Sequence, residues 1–298
     1  MCDLKNPLSS NARRFTDHTA IRILLVMSAL LLVLMPAAAG EPGDPSAQDA
    51  EARAHAYMAL EPPEWESARA AFAEAAEQGS PRAMSYLGWM YEEGHGVARD
   101  GELAAEWYGR AARAGAHDFA VKLGWMYLGG HGVDRDRERA EFWFRHAIEA
   151  GHAPAQVAWA SVLIADAQGG RDPERVFEAR ELLEQALEEG LMLASYFLAR
   201  LYIEGIGAQA ADDDLAAHYT RMGADDGHGQ MQGWLAFMYV NGQGVERDLV
   251  TAAKWANLAA ANGDPLGHQL RLTLDAQLDP EQIREARQRA VDWALEQH

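Results

Sequence analysis

The sequence predicts an all-α fold built from about six to seven helix-turn-helix repeats. The first observation is the spacing of six glycines, which are separated by 36, 36, 39, 37 and 36 residues: Gly79, Gly115, Gly151, Gly190, Gly227 and Gly263. A period in this range is typical of a solenoid of helix pairs. The second is that apolar residues recur at helical spacing between these glycines. The third is composition, since 49% of the 298 residues are apolar and the 11 prolines are too few for long linkers.

The clearest repeat runs from Ala83 to Gly115 and contains two helical patterns. In the first helix, Ala83, Leu87 and Tyr91 fall at i, i+4 and i+8, on one face. The second helix shows matching apolar spacing at Ala104, Trp107, Tyr108, Ala111 and Ala112. Ser80-Pro81 precedes the first helix as an N-cap followed by proline at the first helical position. Each repeat is therefore expected to be one helix pair.

A glycine-containing turn joins the two helices of a repeat. In Gly94 to Asp100, the glycine is expected to end the first helix in a left-handed conformation, and Asp100 is expected to cap the second. The same turn recurs at residues 130–136 and 242–248. Three copies of one turn indicate a true structural repeat.

Small residues recur where the two helices of a pair must approach closely. One position of the first helix holds Gly88, Gly124, Ala160, Ala199 and Ala236. One position of the second helix holds Ala104, Ala140, Ala216 and Ala252. Larger side chains at these positions would overpack the space between the helices.

The remaining copies depart from the pattern in identifiable ways. In the third copy, Asp166 to Pro173 replaces the short turn with a longer connection. The fourth copy has Gly223 where other copies have alanine, so its second helix is expected to be the least stable. At the ends, Ala47 to Leu60 is interpreted as a shortened partner helix, and Asp279 to Gln282 as the capped start of a final helix.

Residues 1–39 are interpreted as a signal peptide. The uncharged run Ile23 to Met35 has the length of a signal-peptide core, and Ala37 and Ala39 supply the small residues of a cleavage site. The mature chain would begin near Gly40, with a short linker at 40–45 and one solenoid at 46–298. The predicted location is therefore the periplasm or outside the cell. The alternative is an uncleaved anchor in the inner membrane through residues 21–39, the one case in which a membrane is a partner.

The charge and the cysteine content limit which partners and which kinds of site the chain is expected to have. The formal net charge is −19, and removing residues 1–39 takes away four basic and two acidic residues, which leaves −21. Nucleic acid is excluded as a partner because its phosphates need a basic surface, so a basic or neutral partner is favoured. The single cysteine, Cys2, lies in the leader, so the mature chain is expected to contain no disulfide and no thiol-based site.

The repeat resembles the Sel-one-like repeat (SLR) family, relatives of the tetratricopeptide repeats. The resemblance rests on the pattern Leu87-Gly88-x2-Tyr91-x2-Gly94-x-Gly96-Val97-x2-Asp100, continued to Gly115 and repeated from Leu123 to Gly151 and from Leu235 to Gly263. It implies a right-handed α-α superhelix whose concave face binds peptides or proteins, with exported bacterial members acting as adaptors. One cysteine-rich subgroup is linked to β-lactams, a property that this cysteine-poor chain is not expected to share.

The resemblance implies a concave groove lined by the residue that follows the small position and by the residue four places earlier. The aromatic and arginine side chains among these are the candidate partner-binding residues, because such side chains carry interface energy: Trp89, Trp125, Tyr196, Arg200 and Phe237. The alternative is that some of them pack between repeats. Their partner is expected to be a protein or peptide whose identity the sequence does not specify.

The motifs of common active sites do not occur in this sequence. His95 and His131 occupy equivalent turns, but Gln243 takes the third such position, so these histidines are interpreted as turn residues. No catalytic residue, cofactor or metal site is predicted. The predicted function is an exported, non-enzymatic scaffold or adaptor that regulates or assembles other envelope proteins. Two alternatives stay open: a secreted or surface-exposed ligand for a host molecule, and an envelope hydrolase or small-molecule binder.

Overall fold

The computed structural model describes residues 45–297, in which fourteen α-helices, one short 3-10 helix and no strand occur. The predicted leader and the cleavage site near Gly40 lie outside the described residues. The first helix begins at Pro45. The all-α repeat architecture that the sequence predicts is confirmed.

The chain divides into two compact units, whose described parts are residues 45–159 and 160–297. The first unit contains six complete helices: α1 (Pro45–Met58), α2 (Trp65–Glu77), α3 (Pro81–Glu93), α4 (Gly101–Arg113), α5 (His117–Gly129) and α6 (Arg137–Glu149). The boundary falls within α7 (Ala153–Gln168). The second unit contains the 3-10 helix Pro173–Arg175 and seven further helices: α8 (Val176–Glu188), α9 (Leu193–Glu204), α10 (Asp213–Asp225), α11 (Gly229–Asn241), α12 (Leu249–Ala261), α13 (Pro265–Asp275) and α14 (Pro280–Glu296).

The helices pack as consecutive pairs within each unit. In the first unit, α1 packs on α2, α3 on α4 and α5 on α6; in the second, α9 packs on α10 and α11 on α12. Successive pairs are also in contact within each unit, as α2 is with α3 and α4 with α5 in the first, and α10 with α11 and α12 with α13 in the second. The core is therefore a series of layers, each built from neighbouring helices. Burial of apolar side chains in these layers supplies the main stabilisation.

The predicted turn is confirmed in detail. Gly94 has φ of 78°, in the left-handed region, and its N–H donates to the carbonyl oxygen of Met90 over 2.8 Å. The carboxylate of Asp100 accepts a hydrogen bond of 3.0 Å from the N–H of Leu103 and so caps α4. The N–H of Asp100 donates in turn to the carbonyl oxygen of Tyr91 over 2.9 Å. The turn thus satisfies backbone groups at the end of one helix and the start of the next.

The small residues of the first helices lie directly under aromatic rings of the second. A Cβ atom added to Gly88 would be 2.7 Å from the ring of Tyr108, and one added to Gly124 would be 2.5 Å from the ring of Phe144. Both rings are fully buried. The expected close approach of the two helices is confirmed, and in both repeats it depends on the missing side chain.

The third and fourth copies, which depart from the repeat pattern, differ from the other copies in their connection and in their packing. Helix α7 extends over 16 residues, and the 3-10 helix Pro173–Arg175 occupies the connection that replaces the short turn. In α10, a Cβ atom added to Gly223 would be only 2.1 Å from the sulfur of Met231. The glycine that weakens α10 by helix propensity is therefore also required for contact with α11, a packing role that the sequence pattern did not reveal.

Helix α14 has the N-terminal signals that the sequence predicts. Asp279 caps α14 in a capping box, in which its carboxylate accepts from the N–H of Gln282 and the Gln282 side chain accepts from the N–H of Asp279. Helix α14 packs against α12 and buries Ala286 and Ala290. The predicted capped final helix is confirmed.

We predict that Gly124→Ala destabilises the protein by about 1–3 kcal/mol because the added methyl group overlaps the ring of Phe144. Helix propensity alone predicts the opposite sign, a gain of about 1 kcal/mol. Urea unfolding monitored by circular dichroism measures the difference. As a control, the same substitution is made together with Phe144→Leu, where the smaller side chain should relieve part of the overlap. A stabilised Gly124→Ala variant would contradict the close helix contact.

Candidate partner-binding site

The five candidate partner-binding residues lie on the first helices of four repeats. Trp89 is on α3 and Trp125 on α5, both in the first unit. Tyr196 and Arg200 are on α9 and Phe237 on α11, all in the second unit. Each unit thus carries its own set of candidate partner-binding residues, and the two sets have different neighbouring side chains.

Trp89 is half-buried in an aromatic cluster of the first unit. Its ring centroid lies 6.0 Å from that of Trp65 and 6.4 Å from that of Tyr86, both in edge-on arrangements. The imidazole of His95 lies 4.4 Å from Trp89 and stacks on Trp65 at 4.4 Å with an interplanar angle of 20°. His95, interpreted from sequence as a turn residue, therefore also fills the space between two indole rings.

Trp125 is half-buried and packs edge-on against Phe144, with ring centroids 5.3 Å apart. Its indole Nε1 is buried and has no hydrogen-bond partner among the described residues. An indole N–H that is buried usually finds a partner. Trp125 thus contributes to the packing of α5 on α6 while retaining an unused donor.

Tyr196 is the centre of an aromatic stack in the second unit. Its ring lies 5.3 Å from that of Trp234, at an interplanar angle of 19°, and 5.7 Å from the imidazole of His228. Burial raises the pKa of the Tyr196 phenol, so it stays protonated at neutral pH. The stack leaves Tyr196 and Trp234 half-buried on neighbouring first helices.

Arg200 is held in place by an ion pair beside this stack. Its Nε lies 3.0 Å from Oε1 of Glu204, and both side chains are 18% exposed. Glu204 also accepts a hydrogen bond of 3.1 Å from Gln168. The guanidinium carbon lies 6.0 Å from the ring centroid of Tyr196. The ion pair thus fixes the position of Arg200. Glu204 also offsets part of the positive charge that Arg200 could offer to a partner.

Phe237 differs from the other four candidates, because it is only 4% exposed and belongs to the hydrophobic core of the second unit. Its side chain has little surface to offer a partner. Phe237 therefore fits the alternative interpretation, in which a candidate residue packs inside the protein. Three residues earlier, Trp234 is half-buried against Tyr196. Trp65 and Trp234 are the aromatic residues that sequence reasoning missed. Neither occupies the repeat position that defined the candidates, since Trp65 is the first residue of α2 and Trp234 lies three residues before Phe237 on α11.

Three histidines meet in the first unit, where α5, α6 and the following loop come together. The ring of His117 lies 6.3 Å from that of His146 and 6.2 Å from that of His152. His152 Nε2 lies 3.0 Å from Oδ1 of Asp118. The Nδ1 atom of His117 and the Nε2 atom of His146 are buried without a hydrogen-bond partner among the described residues. In residues 45–297, no group of three or more His, Cys, Asp or Glu side chains is arranged to hold a metal ion.

Burial, together with the neighbouring imidazoles of His152 and His146, lowers the pKa of His117 below its ordinary value of 6.5, and Asp118 partly opposes this. The folded protein therefore holds His117 neutral, whereas the unfolded chain binds a proton more readily. The neutral His117 therefore contributes to the free energy of unfolding above about pH 6.5, and this contribution is lost as the pH falls below that value.

We predict that wild-type protein loses more stability between pH 7.5 and pH 5 than His117→Gln does, because the variant lacks the buried imidazole. Urea unfolding at several pH values measures this. The matched control is His131→Gln, which changes an exposed turn histidine to the residue found at the equivalent Gln243 and should retain the wild-type pH dependence. Identical pH profiles for His117→Gln and wild type would contradict the prediction.

None of the helices in the described residues is long and apolar enough to span a bilayer. The predicted leader, the only segment proposed to enter a membrane, lies outside those residues.

The fold and repeat pattern match known proteins. The model of the Sel1 repeat family matches residues 81–115, 117–152, 155–191, 193–228 and 230–264. The Sel1-repeat-containing protein YjcO of Escherichia coli K12 is 26% identical over 115 residues, which are 38% of this chain and 50% of that protein. The chain thus spans about half the length of the curated relatives it matches.

Two solved structures share the fold. One is c5321, a protective antigen present in uropathogenic Escherichia coli strains, with a TM-score of 0.63 and 27% identity over 83% of this chain and 53% of that one. The other is a Sel1 repeat protein from Oxalobacter formigenes, with a TM-score of 0.61 and 26% identity over 80% of this chain and 96% of that one. Because the five repeat matches cover more than half of the 298 residues and coincide with the helix pairs, the chain belongs to the Sel1 repeat family.

Proposed function

We propose that this protein is an exported, non-enzymatic scaffold or adaptor that binds another envelope protein and regulates or assembles it. The observation that carries the proposal is the concentration of half-buried aromatic side chains on the first helices of the repeats. Trp89 and Trp125 form this surface in the first unit, and Tyr196 with Trp234 forms it in the second. The Sel1 repeat fold is generally a non-catalytic scaffold for protein-protein interaction, which supports this use of the surface.

The geometry of the aromatic residues suits protein binding. Trp65, Trp89 and His95 restrain one another through ring contacts, as do Tyr196, Trp234 and His228. A restrained ring loses little conformational entropy when a partner covers it, so its buried area contributes more fully to affinity. Tryptophan, tyrosine and arginine are the side chains that most often dominate interface energies. In this proposal Phe237 supports the surface from the core.

The charge of the chain supports a basic or neutral partner for this surface. With 45 acidic and 26 basic residues, the protein repels nucleic acid at long range and attracts cationic surfaces. A protein or peptide with basic groups at the edge of an apolar contact would satisfy both the charge and the aromatic side chains. Regulation or assembly of such a partner is the role that we assign to the chain.

A second candidate function is a surface-exposed or secreted ligand for a host molecule. It is favoured by the similarity to c5321, which is described as a protective antigen of uropathogenic strains. This function would use the same aromatic surface but would require the protein to lie outside the cell.

We predict that a photo-crosslinking amino acid placed at Trp89 or Tyr196 captures one defined envelope protein in living cells, because these positions would lie within the interface. The captured chain is identified by mass spectrometry. The matched control is the same amino acid at Arg284, an exposed residue of α14, which should not capture that protein. Recovery of a polysaccharide fragment alone, or equal capture from Arg284, would contradict the proposal.

Cell fractionation distinguishes the proposed locations. We expect a mature chain that begins near Gly40, recovered from the periplasm, because residues 1–39 have the organisation of a signal peptide. N-terminal mass spectrometry of the recovered protein measures the cleavage position. Recovery at the outer surface would favour the host-ligand function, and an unprocessed chain in the inner membrane would favour the anchor. Retention in the cytoplasm would overturn export altogether.

A further inference from the structure

Two second helices of the first unit carry a surface unlike that of the other second helices. The last turn of α4 contains Arg110 and Arg113, and the last turn of α6 contains His146. The corresponding turns of α2, α8, α10 and α12 contain no basic residue. In a chain with a net charge of −19, the two arginines in the last turn of α4 form a local positive charge that the last turns of these other second helices lack.

Both arginines are stacked on tryptophan rings. The guanidinium carbon of Arg110 lies 4.3 Å from the ring centroid of Trp107, and that of Arg113 lies 4.9 Å from that of Trp143. Both arginine side chains are exposed, and within residues 45–297 neither forms an ion pair. Stacking restrains the guanidinium plane while its N–H groups stay available at the edge. Such an arrangement is suited to binding a carboxylate with two hydrogen bonds.

An exposed aromatic ring continues this surface. Trp143 packs over Gly109, where an added Cβ atom would lie 3.1 Å from the ring, so α4 and α6 meet at this point. The neighbouring Phe142 is 55% exposed and stacks on His146, with an interplanar angle of 14°. Phe142 is the only aromatic residue among the exposed large hydrophobic residues of the described chain.

Nearby carboxylates do not neutralise the two arginines. Glu141 is paired with Arg145 at 3.0 Å, and Asp118 lies 3.0 Å from His152. In α4, Glu102 lies in the first turn and Glu106 lies one turn before Arg110, but within residues 45–297 neither forms an ion pair with an arginine of this helix. The arginines therefore retain a positive charge that a partner can use.

We propose that this surface, which we call the arginine-tryptophan face, docks an acidic protein segment that carries an apolar side chain. The face consists of Trp107, Arg110, Arg113, Phe142, Trp143 and His146. Carboxylates of the segment pair with Arg110 and Arg113, and its apolar side chain covers Phe142. The charge of this face is opposite to that of most of the chain, so the segment differs from the basic or neutral partner of the aromatic surface. The inference goes beyond the proposed function and stands without it.

The test uses the full mature chain and a fluorescein-labelled peptide of twelve residues, in which glutamate and aspartate flank one leucine and one phenylalanine. A matched peptide has glutamine and asparagine in place of the acids. We expect the acidic peptide to bind, the neutral peptide to bind at least about tenfold more weakly, and the affinity to fall as salt is raised. Fluorescence anisotropy measures each affinity.

Substitutions locate the binding site. Arg113→Glu should weaken binding of the acidic peptide by about tenfold or more, and Phe142→Ser should weaken it without changing its salt dependence. Arg113→Lys should weaken binding less than Arg113→Glu but should not restore the wild-type affinity, because the charge remains while the stacking and the paired hydrogen bonds of the guanidinium are lost. The matched control, Arg284→Glu, makes the same charge change on exposed α14 and should bind as wild type. Circular dichroism and thermal unfolding establish that each variant is folded.

Three outcomes would overturn the proposal. The first is binding of the acidic peptide that Arg113→Glu and Arg284→Glu reduce equally, since this would reflect net charge alone. The second is failure of the acidic peptide to bind better than the neutral peptide. The third is binding to vesicles of phosphatidylglycerol and phosphatidylcholine through Arg113 without binding of the acidic peptide, which would identify the face as a lipid-binding surface.

Discussion

The structure depends on the close approach of the two helices within each repeat. At Gly88 and Gly124 the second helix places an aromatic ring where a Cβ atom would otherwise lie, at 2.7 Å and 2.5 Å. These contacts bury Tyr108 and Phe144 fully, so each glycine permits a large hydrophobic burial close to the backbone. A larger side chain at either glycine would push the helices apart and shift the layers that follow.

The turns hold the two helices of a repeat close together, and the same turn recurs in three of the repeats. The N–H groups of Asp100, Asp136 and Asp248 each donate to the carbonyl oxygen of a tyrosine on the preceding helix, over 2.9, 2.9 and 3.1 Å. The same aspartates cap the helices that follow. Since cap and turn share one residue, the start of the second helix is tied to the end of the first. Variation is therefore tolerated mainly at positions outside the turn and the small-residue contacts.

That tolerance allows surfaces of different chemistry on one repeat scaffold. The first helices carry restrained aromatic residues, such as Trp89 and Tyr196, within a strongly acidic chain. The second helix α4 carries two arginines stacked on tryptophan rings, and α6 carries exposed Phe142 next to one of those rings. Opposite charge preferences at two surfaces would let a scaffold distinguish two partners, since like charges weaken association with the wrong one. This arrangement is consistent with an adaptor.

The sequence by itself determined the helix pairs, their period, the glycine-ended turns and the aspartate caps, because these follow from local backbone requirements at residues such as Gly94 and Asp100. Only the tertiary structure decided which aromatic side chains remain accessible. Phe237 follows the small position as Trp89 does, yet it is buried in the core of the second unit, whereas Trp234 is half-buried against Tyr196. A repeat position specifies the direction of a side chain along its helix, but burial also depends on what neighbouring helices place opposite it, which residue spacing does not record.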